Sequence, residues 1–582
     1  MTKKACSILL TALMLVSFSV CSFAANNAAA DNSVTDKSSS VTDNSQSENT
    51  LSDEMSEMSL MKEKIRALYG ENKQITDGNY DKSLAVKCVN GTFVGKKKDG
   101  VIAYKGIPFV GRQPVGELRW KAPVDVVPDD GVYEAYYNGK SPCQIYEDSQ
   151  VSSLYVQGED CLYLNVWKAD DGRTKKPVMV WIHGGAFTVG GTVEPREEGT
   201  NFVKENPDVI FVSIEYRLGA FGFLHLSHLP DGKDYPDAQN LGLMDQMMAL
   251  KWVHENIAGF GGDPDNVTIW GESAGGDSVT TLPLIEGSHK YFKRVIAQSG
   301  TPTLSRTIEQ SIRDTNEFME ILGCKTVAEL QKVDVDKMVL ALDELEDMRI
   351  GPEKDGKYLP LDPYEAYANG AAKDIDILQG CNKDELNYFV VVNDGIEPFL
   401  EFINERMVRN FTVLTDEEKN LVDSFCKDIK GERYEQLCRL YDQIWFFAPM
   451  FRLSENQAKA GGKSYIYHFT VESSIPLMKS GHGVEISTIF NHPEDLRVVG
   501  RALDEMFSKT MRKMWVQFAK TGNPSLSAEI SPDGKAHEWP LYDLENKNIM
   551  VLDEFNIHPA KESELKLVDW ERCYFLTKYF CL

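Results

Sequence analysis

The sequence predicts an α/β fold: a mostly parallel central sheet with helices on both faces. Two observations carry that expectation. Short runs rich in β-branched residues recur between turn residues, as fully buried strands do. Helical stretches separate several of these runs, and alternating strands and helices produce a parallel sheet that must be covered on both sides. The chain has 582 residues, enough to bury a large core.

The predicted strands, in order, are "VMVWI" (178–182), "VIFVSI" (209–214), "VTIW" (267–270), "RVIAQ" (294–298) and "IDIL" (375–378). The clearest helix between them is "LMDQMMALKWVHENI" (243–257). Residues 304–350 and 395–460 read as mainly helical and would form a cap beside the sheet. No internal repeat is present.

The first 24 residues read as an export signal. Lys3 and Lys4 form a charged start, Ile8 to Val20 a short apolar core, and Ser22-Phe23-Ala24 a small-x-small cleavage site. The mature chain would begin at Ala25. Lipid modification of Cys21 is the rival, and Val20 and Phe18 fit that motif poorly. Residues 25–80 read as a polar tether with a short helix near its end, and residues 81–582 as one folded domain. No other segment has a long uncharged apolar run, so no transmembrane anchor is expected.

The formal net charge of -26 argues against nucleic acid, because no broad cationic face exists for phosphates. Lys96-Lys97-Lys98, followed by Asp99-Gly100, reads as a solvated hairpin tip. Of 11 cysteines, Cys6 and Cys21 leave with the signal, so an odd number remains in an exported chain. No CxxC pair occurs, which argues against a zinc knuckle or thioredoxin-type site.

The chemistry centres on "VTIWGESAGG" (267–276). Gly271-x-Ser273-x-Gly275, between a strand and a small-residue helix, fits a nucleophile elbow. Glycine lets the strand turn sharply into the helix and leaves the serine hydroxyl exposed at its tip. Upstream, Gly184 and Gly185 in "WIHGGAF" could offer backbone N–H groups, with that of Ala274, to a developing oxyanion. Of the ten histidines, His482 in "SGHGVEI" and His492 beside Pro493 are the candidates for the base. For the acid, Asp384 and Glu385 both follow a predicted strand, and the residues alone do not choose between them.

With these motifs in view, the chain resembles type-B carboxylesterases, the esterase–lipase group that includes cholinesterases and bacterial para-nitrobenzyl esterases, and the latter most in character. The resemblance spans roughly residues 86–575, through "YKGIPFVGRQPVGELRW", "GEDCLYLNVW", "WIHGGAF", "EYRLGAFGFL", "ENIAGFGGDPDNVTIWGESAGG", "NKDE" and "HGVEI". It implies an α/β-hydrolase fold with helical cap insertions. It also implies Ser273 as nucleophile, Glu385 as acid, His482 as base, and Gly184, Gly185 and Ala274 as the oxyanion hole. A Cys143–Cys161 disulfide and a buried Arg119–Glu159 ion pair follow from it too.

Departures from the family pattern are Leu386, where glycine usually follows the acid, and Gln113, where proline is usual. Cys324 and Cys573 lack their expected partners, and Cys426 and Cys438 could pair instead. The stretch between Cys143 and Cys161 holds no tryptophan to bind a quaternary ammonium, which argues against choline esters; Tyr146 or Tyr155 could substitute only weakly.

The expected function is an exported serine carboxylesterase for short-to-medium acyl esters, secreted or held in the periplasm or at the cell surface. It would need no metal and no organic cofactor. Its partner would be a small ester substrate, with oligomeric state open. A lipase for long-chain acylglycerols and a non-catalytic binding protein are the alternatives. With an ordinary histidine pKa of about 6.5, activity would fall near or somewhat below neutral pH.

Overall fold

The computed structural model describes residues 69–145, 155–345, 350–403 and 416–570. Fourteen strands occur among them. A small sheet joins β1 (Ala85–Cys88), β2 (Asn90–Val94) and β5 (Asp129–Glu134). The large sheet contains β3 (Lys96–Lys98), β4 (Val101–Pro108), β6 (Tyr163–Ala169), β7 (Lys176–Ile182), β8 (Ile210–Ile214), β9 (Gly262–Glu272) and β10 (Arg294–Gln298). It continues with β11 (Asp376–Asn382), β12 (Ser464–Phe469), β13 (Asn548–Leu552) and β14 (His558–Lys561). The spatial order is β14-β13-β12-β11-β10-β9-β7-β8-β6-β4-β3.

From β8 to β13 every neighbouring pair is parallel, and antiparallel strands close both edges. All five strands expected from sequence lie in this parallel centre. Their continuous apolar runs follow from burial on both faces. Val178, Val180 and Ile182 of β7 point into one core, while Met179 and Trp181 point into the other. Each such buried side chain stabilises the fold by roughly 1.5–3 kcal/mol. The expected helix is present at Leu241–Asn256. Helices Ile308–Ile321, Val335–Glu344, Arg433–Tyr441 and Ala448–Lys459 fall in the two regions expected to be helical.

The lysine run forms β3, an exposed edge strand, and Asp99 and Gly100 make the hairpin turn in the left-handed region. Lysines on an edge discourage pairing with another chain. The tether expected to reach residue 80 is too long. The Asn72 amide donates to the Lys105 and Tyr137 carbonyls, and Ile75 N–H donates to the Val132 carbonyl. Backbone pairing, which composition does not reveal, holds this polar stretch to the domain. The export signal and most of the tether lie outside the described residues. Among the described residues, no helix is long and apolar enough to cross a membrane.

Candidate active site

Four central strands, β7, β9, β11 and β12, end at the same edge of the sheet; Gly184, Ser273 and Glu385 lie within three residues of the ends of the first three, and His482 lies on the longer loop after β12. Ser273 directly follows β9 and caps helix Ala274–Thr281 with φ 56° and ψ -122°. A positive φ is strained for a residue with a side chain, and such strain persists only where the surroundings impose it. Here they do. A side-chain carbon on Gly275 would lie 2.0 Å from the Ile182 carbonyl oxygen, and one on Gly271 2.5 Å from the same atom. Glycine lets the elbow close against β7.

Gly184 and Gly185 lie on the loop after β7. A side-chain carbon on Gly184 would stand 3.1 Å from Ser273 Cβ, so this loop runs beside the serine. Gly185 has φ 103°, and its carbonyl accepts the Thr188 and Val189 N–H groups in a tight turn. Gln144 clamps the loop by accepting the Gly190 N–H and donating to the Gly190 carbonyl. Among the described residues, the N–H groups of Gly184, Gly185 and Ala274 donate to no protein acceptor. Three unused donors around a partly exposed serine suit a developing negative charge, and Ala274 adds the positive end of its helix.

The structure separates the paired candidates. Glu385 Oε2 accepts from His482 Nδ1 at 2.6 Å, and Glu385 is fully buried. Asp384 instead faces Lys383, with its N–H on the Ser480 carbonyl. His492 bonds Glu494 and the Glu198 carbonyl, away from the acid. The second oxygen of Glu385 accepts from Ser299 Oγ and from Asn382 N–H, each at 2.6 Å. Leu386, the family departure, is fully buried in a third apolar cluster, and its N–H donates to Asp442 Oδ1 at 2.8 Å. Gln113, the other departure, bonds both the N–H and the carbonyl of Leu162.

Ser299, Glu485 and Glu272 were not singled out from sequence. Buried Glu485 accepts from Gln298 and from Asn382, tying the histidine loop to β10 and β11. Its place within "HGVEI" was the only signal. Glu272 Oε1 lies 3.1 Å from His482 Nε2. The distance is that of an ion pair, yet Oε1 accepts no hydrogen bond among the described residues. Ser273 Oγ has no hydrogen bond among the described residues. Burial alone would lower the His482 pKa, yet Glu272 and then Glu385 outweigh it and raise the pKa above the ordinary 6.5. Burial likewise raises that of Glu272. The two groups therefore titrate as a coupled pair. Phe389, Phe446 and Tyr388 surround the imidazole, with ring centroids 5.3–6.0 Å away.

The Arg119–Glu159 pair is bidentate, with Nη2 to Oε2 at 2.6 Å. The expected Cys143–Cys161 bridge is not formed; both side chains are buried and line one small cavity. Burial raises the Cys161 thiol well above its usual range, which suppresses the thiolate that disulfide exchange requires. Cys426 and Cys438 are buried in the same apolar cluster but do not pair. Cys573 and Cys581 lie outside the described residues.

Residues 80–567 match the carboxylesterase family. The chain is 34% identical over 493 residues to the para-nitrobenzyl esterase of Bacillus subtilis (strain 168), covering 81% of this chain and 96% of that one. It is 31% identical over 493 residues to a cholinesterase of Mus musculus, covering 78% and 80%. The crystal structure of a Geobacillus stearothermophilus carboxylesterase superposes with a TM-score of 0.72 at 32% identity, covering 83% of this chain and 99% of that one.

Proposed function

The chain belongs to the carboxylesterase family, is a carboxylic ester hydrolase and has the α/β-hydrolase fold, and on that premise we propose that it works through a Ser273–His482–Glu385 triad. One arrangement carries this reading: a strained serine beside three unused N–H donors, at the same sheet edge as a histidine held by a buried carboxylate at 2.6 Å. His482 takes the Ser273 proton as the oxygen attacks the ester carbonyl. Gly184, Gly185 and Ala274 N–H groups hold the oxyanion. His482 then protonates the leaving alcohol, and water activated by the same ring releases the acid. Catalytic hydrogen bonds tighten on substrate binding, which completes the Ser273–His482 contact. Glu385 fixes the tautomer and offsets the imidazolium charge.

The substrates are esters of short-to-medium acyl chain. Hydrolysis of 4-nitrophenyl acetate, butyrate and palmitate tests this, with kcat/KM for palmitate the lowest. A rate jump above the solubility limit of the long-chain ester would indicate a lipase instead. Most of the stretch that would form a lid, residues 146–154, lies outside the described residues. We also propose that the chain is exported, which the Lys3-to-Ala24 pattern supports. Amino-terminal sequencing of protein recovered outside the cytoplasm tests export, with Ala25 expected as the first residue.

The base must be neutral to act, so a raised His482 pKa moves the activity limb to higher pH than an ordinary histidine would give. Glu272→Gln removes the negative charge that most favours the imidazolium. The acid limb of kcat/KM is expected to move down by about one pH unit in this variant. An unmoved limb would remove Glu272 from the pair.

A further inference from the structure

A second serine carries a histidine and a buried carboxylate of its own. Ser227 Oγ lies 3.1 Å from His225 Nε2, and His225 Nδ1 lies 2.7 Å from Glu353 Oε2. Glu353 is 1% exposed, and its other oxygen is buried without a hydrogen bond. Among the described residues, His225 is the one side chain that bonds its carboxylate. A carboxylate so placed holds the Nδ1 proton of the ring, which leaves Nε2 as acceptor for the serine hydroxyl. The order of groups matches that of Glu385 and His482, and here the serine already meets the ring.

The backbone fixes each member. Fully buried Leu226 anchors a turn whose Leu229 N–H donates to the Leu226 carbonyl at 3.0 Å, with exposed Ser227 and His228 at its middle. The His225 N–H donates to Thr315 Oγ1 at 3.0 Å. Asn240 brackets Glu353, accepting its N–H at 2.9 Å and donating to its carbonyl at 3.0 Å. Among the described residues, the N–H groups of Ser227 and His228 donate to no protein acceptor, so the serine's own turn keeps two donors for an oxyanion. Space adjoins the turn. His228 Nε2 is 2.8 Å from Asn316 Oδ1, and Asn316 lines an open groove of about 650 Å³ along helix Ile308–Ile321.

We propose that Ser227, His225 and Glu353 form a second nucleophilic site, which takes the acyl group from activated esters such as aryl acetates. Ser227 Oγ bonds to the ester carbonyl carbon as its proton passes to His225 Nε2, and Glu353 offsets the imidazolium charge. Collapse breaks the bond from that carbon to the phenol oxygen. The phenol takes the proton from His225, leaving acyl-Ser227 and a neutral ring. Two donors on an exposed turn hold the oxyanion less well than three beside a helix end, so Ser273 outruns this site whenever both are present.

The test treats Ser273→Ala protein with excess 4-nitrophenyl acetate and locates the acetyl group by mass spectrometry. Lysine acetylation in the same chain is the internal reference. Ser227 is expected to be acetylated ahead of every other serine. Adding His225→Gln is expected to slow this on the order of 10²-fold against the lysines, and Glu353→Gln to slow it as well. Ser227→Ala removes only an exposed oxygen, so it serves where a change at Glu353 disturbs the fold. If the acetyl group turns over, 4-nitrophenolate release that Ser227→Ala abolishes gives the same support. Acetylation of Ser227 no faster than that of other exposed serines without such release, or at a rate His225→Gln leaves unchanged, overturns the second site and leaves the Ser273 reading untouched.

Discussion

Ser273→Ala is expected to lower kcat for 4-nitrophenyl acetate by roughly 10⁴-fold or more, with the thermal midpoint close to that of the wild type. The change removes one oxygen and leaves Cβ in place, so the elbow still closes. The Ser273 N–H keeps its bond to the Gln298 carbonyl, and its own carbonyl still accepts from Asp277 N–H. Residual turnover would come from the donors and the histidine acting on water. A loss under tenfold would mean that another group attacks the ester.

Gly275→Ala is expected to act on the fold as strongly as Ser273→Ala acts on chemistry. The added methyl would lie 2.0 Å from the Ile182 carbonyl oxygen and 3.0 Å from that of His183. Both are backbone atoms of β7 and its loop, so relief requires moving the strand that carries Gly184 and Gly185. Destabilisation of about 3 kcal/mol or more is expected, beyond the usual 1–3 kcal/mol for overpacking. Denaturant titration alongside esterase assay checks it. Wild-type stability and wild-type rates together would show that the elbow is not packed against β7 in this way.

The sheet was readable because burial on both faces leaves a plain signature. Runs such as "VIFVSI" have no polar face to alternate with, and every one of the five became a parallel strand. The elbow around Ser273 was readable for a similar reason, since its glycines answer a steric demand that no other residue meets. The acid and base were not readable from their own neighbourhoods. Asp384 and Glu385 are chemically alike and adjacent, and only the family resemblance preferred one of them. The 2.6 Å contact to His482 depends on loops from β11 and β12 meeting across the sheet edge.

Other features had still less signal. Residues 70–80 look like a polar tether because backbone pairing leaves no mark on composition. Glu272 sits in the most conspicuous motif of the chain, yet its contact with His482 depends on a loop far away in sequence. The ordinary histidine pKa expected from sequence fails for the same reason, because the two carboxylates that raise it most come from β9 and the loop after β11.

The most direct measurement is to react the protein with a fluorophosphonate and locate the adduct by mass spectrometry, with pH as the variable. The expected result is one adduct per chain, on Ser273, forming along the same pH limb as ester hydrolysis and abolished by Ser273→Ala. Ester hydrolysis that persists while Ser273 stays unlabelled, or an adduct on another residue that stops turnover, would contradict the triad.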